Sequence, residues 1–327
     1  MNWLITGGCG FIGRSLIKEL TRSSDENNVR IIDNLSGSSI EDLEKITSFK
    51  IITSPKKDFK NIELVIADIQ DIESAISYSA GADVIVHLAA NTGVQPSVDD
   101  PISDCRNNVI GTLNFLESAR INKIKNFIFA SSGAPVGEVN PPIKEDLAAS
   151  PVSPYGASKL AGEAYCSAYY KTFGIDTIAL RFSNVYGPDS HKKSSVIAKF
   201  LKNYKDNQVI KVYGDGSQTR DFIYITDLIQ AILLSVEMKD IGGNIFQIAS
   251  GLETSINELI ERMNNSLIFF GKSKLTVSYK EKRVGDVSRN FSDISKAKKI
   301  LNWSPKIKLD EGLIKTMEFF FDEKFKE

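Results

Sequence analysis

Tyr155 and Lys159 stand four residues apart in Pro154-Tyr155-Gly156-Ala157-Ser158-Lys159. On a helix that spacing projects both side chains from one face. An ammonium beside a phenol favours phenolate and draws the tyrosine down from its reference pKa of about 10, toward the range of a general base. The same spacing arises by chance on surface helices, so a third residue has to single this pair out. Ser132 does so, because it follows the apolar run Phe127-Ile128-Phe129-Ala130-Ser131, and strand ends of this kind border the ligand crevice of doubly wound sheets.

A second cluster suits a phosphate. In Thr6-Gly7-Gly8-Cys9-Gly10-Phe11-Ile12-Gly13, glycines follow a predicted strand and open a predicted helix. Glycine permits the tight turn at 7, 10 and 13 and lets backbone N–H groups approach a pyrophosphate at the positive end of the helix. Alone, the motif is equally an ordinary strand-to-helix turn. Asp33, 20 residues beyond Gly13, adds a carboxylate that can accept hydrogen bonds from ribose hydroxyls and repel a 2′-phosphate, which favours NAD over NADP. Asp68 is placed to reach the adenine amino group, while Arg14 keeps NADP open.

These residues need a scaffold, and the apolar pattern predicts one. Runs rich in β-branched residues predict strands over 3–6, 29–33, 64–67, 84–89, 127–131 and 177–181. Helices are expected from the glycine turn, over 72–79, and over 107–120 and 155–170. Such alternation implies an α/β fold, a doubly wound parallel sheet of Rossmann type covered on both faces. Beyond Arg181 the pattern loosens into a smaller lobe, with a helix over 196–203 and a turn at Gly214-Asp215-Gly216. Segments 222–238 and 244–249 read as helix and strand, so the chain returns once to the main sheet. The polar stretch 36–60 reads as surface elaboration.

Composition excludes several classes. Lys and Arg number 40 against 41 Asp and Glu, a net charge of −1 that offers no field for nucleic acid or an anionic membrane. No apolar run approaches the roughly 18 residues that span a bilayer, and no export signal is expected at the N-terminus. Three dispersed cysteines and two histidines argue against a disulfide framework and a metal cluster. A cytoplasmic protein without metal is the expectation.

Read together, these motifs resemble the extended short-chain dehydrogenase/reductases, specifically the NAD-dependent epimerase/dehydratase family, over nearly the whole chain. The resemblance rests on the Thr-Gly-Gly-x-Gly-Phe-Ile-Gly start, His87-Leu88-Ala89-Ala90, the Ser-Tyr-Lys set, Arg181-Phe182-Ser183-Asn184-Val185-Tyr186-Gly187-Pro188, and Gly214-Asp215-Gly216-Ser217-Gln218-Thr219-Arg220-Asp221-Phe222. It implies an NAD-binding Rossmann domain over 1–180, returning at about 221–250, and a substrate-binding lobe over 181–220 and 251–327. Within it Tyr155 is the base, Lys159 its electrostatic partner and a ribose ligand, and Ser132 the hydroxyl that positions the sugar oxygen. Cofactor contacts are implied for Gly7, Gly10, Phe11, Ile12, Gly13, Asp33, Asn34, Asp68, Ile69, Leu88, Ala89 and Ala90. Asn184, Arg220 and Arg283 resemble ligands of a substrate diphosphate, a task that suits the permanent charge and forked donors of arginine. Asn107 is expected to brace the active-site backbone. Tyr213 either borders the nucleotide base or packs in the core, and Asn290 occupies the family's gate for bulky sugar substituents, with Arg289 a partner for a sugar carboxylate.

The loop after Ser132 narrows the reaction. In the resembling 4,6-dehydratases an Asp-Glu pair follows the active-site hydroxyl, and decarboxylases place a glutamate there. Here Gly133-Ala134-Pro135 transfers no protons. The remaining equipment oxidises and re-reduces, which is all that a 4-epimerase of a nucleotide-sugar, UDP-linked by resemblance, requires. Epimerases usually read Ser-Ser-x-x-Val-Tyr-Gly here, against Ser131-Ser132-Gly133-Ala134-Pro135-Val136-Gly137, a departure beside the sugar pocket. The alternatives are another nucleotide-sugar reaction of the family, a simple reductase, against which Asp33 argues, or a non-catalytic NAD-binding sensor, which would commonly lack the Tyr-Lys pair. Segments 107–120 and 155–170 resemble the helix pair of a four-helix dimer interface, implying a homodimer, and polysaccharide biosynthesis is the implied setting.

Overall fold

Each apolar run named above forms a strand, because a run with no polar face is stable only where helices cover both sides of a parallel sheet. The structure, a computed structural model, describes residues 1–24, 26–190, 195–281 and 287–322. Its main sheet comprises β1 (Asn2–Thr6), β2 (Asn28–Asp33), β3 (Lys50–Ile51), β4 (Ile62–Ile66), β5 (Val84–His87), β6 (Asn126–Ser132), β7 (Asp176–Phe182) and β8 (Ile245–Ile248), in the order β8-β7-β6-β5-β1-β2-β4-β3. Leu4 of β1 pairs with Arg30 of β2 on one side and Ile85 of β5 on the other, both in parallel register. The strand order therefore reverses at β1, and the crevice for a ligand lies beyond the C-terminal ends of β1 and β5. β3 was not anticipated: two exposed residues inside the polar stretch 36–60 carry no pattern to detect.

Helices α1 (Phe11–Ser23), α2 (Ile72–Ser79), α3 (Gly111–Asn122) and α4 (Pro154–Phe173) accompany this sheet. Leu4, Ile85, Phe115, Leu116, Phe127, Phe129 and Tyr169 belong to one buried apolar cluster. The ends of α4 are written locally. Ser153 accepts the Gly156 N–H at 3.1 Å as N-cap, Pro154 takes the first turn, and Gly174 closes the helix in the left-handed region at φ 66°. The segment 107–120, expected as one regular helix, differs: a short helix Pro101–Cys105 runs into a π-helical turn, Arg106–Ile110, before α3 begins. A π turn holds an extra residue and rotates the side chains within it relative to an α-helix, and such turns favour functional sites.

The chain divides into two compact units, the first comprising Met1–Gly137, Glu145–Arg181 and Ile229–Phe246, the second Glu138–Lys144, Phe182–Leu228 and Gln247–Glu327. The return to the first unit thus spans 229–246, narrower than the expected 221–250. Segment 222–238 is also not one helix, since Phe222–Tyr224 forms a strand paired in parallel with Asn184–Tyr186, and α5 (Ile225–Glu237) follows. In the second unit Thr219–Arg220 pairs antiparallel with Thr254–Ser255, and Ile210–Tyr213 pairs in parallel with Val277–Lys280. Trp303, 1% exposed, donates its ring N–H to the Asp227 carbonyl at 2.9 Å, and the Asp227 carboxylate accepts the Ile307 N–H at 3.0 Å. No helix among the described residues is long and apolar enough to cross a membrane.

Candidate active site

The glycine turn closes on the switch point. Gly7 has φ +67°, and a Cβ there would meet the Ala89 nitrogen at 2.8 Å, so the turn lies directly against the backbone after β5. A Cβ on Gly13 would fall 2.5 Å from the Gly8 Cα and 2.6 Å from the Gly7 carbonyl oxygen, which fixes how tightly α1 follows β1. Gly10 caps α1 with no side-chain hydrogen bond, leaving the N-terminal N–H groups for an external anion. Phe11 is buried and Ile12 half-buried beside it. Leu88 and Ala89 are held from the other side, since the Leu88 N–H reaches the Thr6 carbonyl at 3.2 Å and the Ala89 N–H the Thr6 hydroxyl at 3.2 Å; Ala90 follows, half-buried.

The Asp33 carboxylate spans this turn, accepting the Cys9 N–H at 3.0 Å and the Leu35 N–H at 2.8 Å. Burial pushes its pKa up, opposed by those two N–H bonds and the Ser38 hydroxyl. Arg14 faces inward, donating to the Cys9 carbonyl and lying 3.8 Å from Asp42 with both side chains 3% exposed. Its charge is engaged there, which removes the reason for retaining NADP. Asn34 donates to Asp68 at 2.9 Å, and Ile69 is held by its carbonyl bond from Asn114, also 2.9 Å. These residues fit an adenine dinucleotide: a cradle that a side chain would fill, an uncapped helix start and a buried carboxylate at the ribose position.

The second constellation lies at the end of β6. Glycines on α4 make it possible, because a Cβ on Gly162 would sit 2.3 Å from the Phe129 ring and one on Gly156 would sit 2.6 Å from the Ala134 carbonyl oxygen. The helix therefore packs flush on β6, and Lys159 reaches the Ala130 carbonyl at 2.9 Å with its amine 4.9 Å from the Phe129 ring centroid. Ser132 ends β6, its hydroxyl accepting the Ala134 N–H at 3.2 Å, and it acts on the Tyr155 hydroxyl. The tyrosine pKa nevertheless moves opposite to the expectation: burial pushes it up to about 12, with the Ser132 bond opposing and Asp104 adding to the rise. Burial likewise lowers Lys159 to about 8, against the pull of Asp104, Glu163 and Cys166. The amine donates to the Ala130 carbonyl, and the phenol is not made acidic.

One bracing residue shifts by a position. Asn107 donates to the Ser103 carbonyl at 3.0 Å and accepts from Gln70 at 3.3 Å. The π turn directs Asn108 inward instead, fully buried, where it accepts the Asn91 N–H at 2.8 Å and donates to the Asn91 carbonyl, to Asp104 at 2.8 Å and to Ser158 at 3.2 Å. Two further buried groups escaped sequence reasoning. Glu163 forms a two-pronged ion pair with Arg181, both contacts 2.8 Å, and accepts the Ser131 hydroxyl at 2.5 Å. His87, lowered to about 3 by burial and by Lys159, is neutral and bonded to Thr6 and Thr112. An acid four residues after Lys159 on the same helix face was the available signal for Glu163.

In the second unit, Asn184 donates both its backbone and side-chain N–H to the Asp221 carbonyl at 3.0 Å. Arg220 is half-buried, with one guanidinium nitrogen on the Thr219 carbonyl at 2.7 Å and the Val287 carbonyl at 2.8 Å. Asp221, unremarked within its motif, is the organiser: its carboxylate accepts the Ser250 N–H and hydroxyl, each at 2.7 Å, and the Gly251 N–H at 3.0 Å. Tyr213 ends its strand half-buried, its carbonyl accepting from Gln218 at 2.8 Å. Asn290 is half-buried and its N–H reaches the Thr219 hydroxyl at 3.3 Å. Arg289 is not available in this arrangement as a carboxylate partner, since it pairs with Glu253 through contacts of 2.7 and 2.8 Å. Arg283 lies outside the described residues.

Comparison with known proteins follows the same lines. The family model described as "NAD dependent epimerase/dehydratase family" matches residues 3–249. The chain belongs to that family. Among curated relatives, it is 34% identical over 324 residues to a UDP-glucose 4-epimerase of Mycolicibacterium smegmatis, covering 98% of each chain. Among solved structures, it resembles a UDP-N-acetylglucosamine 4-epimerase from Methanobrevibacter ruminantium M1 in complex with UDP-N-acetylmuramic acid, with 33% identity, TM-score 0.86 and coverage of 98% of this chain and 97% of that one. It also resembles the UDP-glucuronic acid 4-epimerase of Bacillus cereus in complex with UDP-glucuronic acid and NAD, at 29% identity, TM-score 0.86 and coverage of 98% and 99%. These three proteins are each named for a 4-epimerase reaction and differ in the sugar.

Proposed function

We propose that the protein is an NAD-dependent 4-epimerase of a UDP-linked sugar, a hexose, N-acetylhexosamine or uronic acid. The observation that carries this reading is the Ser132–Tyr155–Lys159 set at the end of β6, followed by a 3₁₀ turn, Ala134–Val136, that holds no acid or base. Bound NAD supplies a hydride acceptor that returns the hydride, so none is consumed. Gly7, Gly10, Phe11, Ile12 and Gly13 cradle its pyrophosphate, Asp33 and Asn34 its ribose, and Asp68 and Ile69 its adenine, with Leu88, Ala89 and Ala90 lining the opposite side.

Tyr155 takes the proton of the sugar 4-hydroxyl while Ser132 orients that oxygen, and the same phenol returns the proton after the keto-sugar has turned over. Lys159 holds the ribose and opposes the charge that develops on the phenol. Asn184, Arg220 and Arg283 bind the diphosphate about which the sugar rotates, Tyr213 borders the base, and Asn290 sits at the substituent gate. The first unit serves as cofactor domain and the second as substrate lobe. A cytoplasmic homodimer supplying polysaccharide biosynthesis completes the reading, supported by the exposed apolar residues Ile102, Ile110, Val152 and Phe173 on or beside the helices that the family uses for pairing.

Incubation with a panel of UDP-hexoses, UDP-N-acetylhexosamines and UDP-uronic acids, with epimers resolved by NMR, tests the proposal. C4 epimers formed from at least one sugar with no added NAD are expected. Loss of water or carbon dioxide from the sugar would assign another reaction of the family, and an unchanged panel would favour a sensor.

A further inference from the structure

The end of β6 is tied to the catalytic helix at two successive residues. On α4, Lys159 donates to the Ala130 carbonyl at 2.9 Å, and Glu163, one turn further along the same face, accepts the Ser131 hydroxyl at 2.5 Å. Both bonds fall beyond Phe129, whose partner His87 is the last residue of β5 in the ladder between the two strands. Past that point the ladder to β5 no longer holds this edge of β6. Ser131 and Glu163 are both buried, and the bond between them has the length of a hydroxyl held by a carboxylate. Glu163 is itself fixed by Arg181 of β7 through two contacts of 2.8 Å, and α4 meets β7 again where the Thr177 hydroxyl donates to the Cys166 carbonyl at 2.6 Å. A buried ion pair contributes little net stability, because desolvation offsets its attraction. What this pair supplies is a stationary acceptor for Ser131.

We propose that Ser131 is a positioning residue: its hydroxyl, anchored on Glu163, locks the end of β6 to α4 and so sets Ser132 in register with Tyr155 and Lys159. This rests on the roles given to those three residues above. The two bonds between β6 and α4 differ in what the reaction asks of them. Lys159 has to hold the ribose and oppose charge on the phenol, so its bond to Ala130 is shared with the chemistry. The Ser131–Glu163 bond employs no group that the mechanism assigns to substrate or cofactor, and it persists through every step. A sugar that turns over between two hydride transfers needs such a frame, because the same serine hydroxyl and phenol must meet its oxygen on both passes.

Substituting Glu163 would also strip Arg181 of its counter-ion, so Ser131 is the residue to change. Ser131→Ala removes one hydroxyl and leaves the ion pair in place. Its kcat should fall roughly tenfold while the KM for the UDP-sugar and the binding of NAD stay unchanged, and Ser131→Thr should restore most of the rate. A merely structural role would lower the melting temperature and leave kcat alone. A readout independent of turnover is the Tyr155 NMR signal in protein labelled with 13Cζ-tyrosine, assigned by its loss in Tyr155→Phe. That signal should be displaced in Ser131→Ala and return in Ser131→Thr. If the alanine variant misfolds, Ser131→Val set against Ser131→Thr makes the same comparison, since the two differ in the hydroxyl and hardly in shape. In wild-type protein labelled with 13Cβ-serine, the Ser131 hydroxyl must exchange slowly with solvent, and rapid exchange overturns the proposal whether or not a variant folds. So does a folded variant lacking the hydroxyl in which the Tyr155 signal stays in place or, where turnover is measurable, kcat matches the wild type. A protein inert toward every sugar whose Tyr155 signal still moves would sink the epimerase reading and leave the positioning role standing.

Discussion

The two units build their candidate ligands in different ways. In the first, close approach of backbone to backbone does the positioning: Gly7 against Ala89, Gly13 against Gly8, Gly162 against Phe129. Regular strands and a well-capped helix carry the reactive groups, and a Cβ at any of these glycines has nowhere to go. In the second, strands of two or three residues carry Asn184 and Arg220, and one buried carboxylate, Asp221, ties the neighbouring loops together by hydrogen bonds. Rigid packing suits the dinucleotide proposed for the first unit, and loops pinned by one side chain suit the variable sugar nucleotide proposed for the second.

If that contrast is right, losing the buried acid should have different consequences in each unit. Glu163→Gln leaves Arg181, 2% exposed, without its counter-ion, and should cost about 3–5 kcal/mol of stability in chemical denaturation together with loss of bound NAD. Near-wild-type stability would show that packing alone holds the first unit. Asp221→Asn keeps a carbonyl acceptor but replaces the other oxygen with a donor facing N–H groups, a cost of about 2 kcal/mol. Its signature should be a KM for the UDP-sugar raised roughly tenfold with NAD retained, and a variant that loses NAD but keeps KM would reverse the assignment of the units. The smallest effect is expected at the surface. Arg289→Ala removes an exposed pair with Glu253 and should leave the melting temperature unchanged, because exposed ion pairs contribute little; a large drop would mean that the loop around Asn290 depends on that pair.

The same contrast explains what the sequence disclosed. The first unit was legible because buried parallel strands have unbroken apolar runs and because glycine at a crowded turn has no substitute, so β1, β2, β5 and β6 and the glycine turn between β1 and α1 all fall where the pattern puts them. The π turn was invisible: one extra residue in a helix changes no periodicity over so short a stretch, yet it exchanges Asn108 for Asn107. Spacing put Tyr155 and Lys159 four apart on one helix, as α4 has them, but did not foretell their ionisation, since burial, which pushes the phenol to about 12, is a property of the packed fold and not of two residues four apart. In the second unit, segment 222–238 read as one helix because Phe222, Ile223 and Tyr224 are apolar in either structure. Asp221 was passed over because its partners, Ser250, Gly251 and Ser292, lie far along the chain.

At the centre of the account is a phenol that takes and returns one proton. Tyr155→Phe keeps the ring, its packing and the cofactor cradle while removing that single hydroxyl. Epimer formation followed by NMR, alongside NAD binding to the same preparation, measures its worth directly. A rate at least ~100-fold below wild type with NAD affinity unchanged is predicted, whereas a variant that epimerises as fast as the wild-type protein would contradict the mechanism.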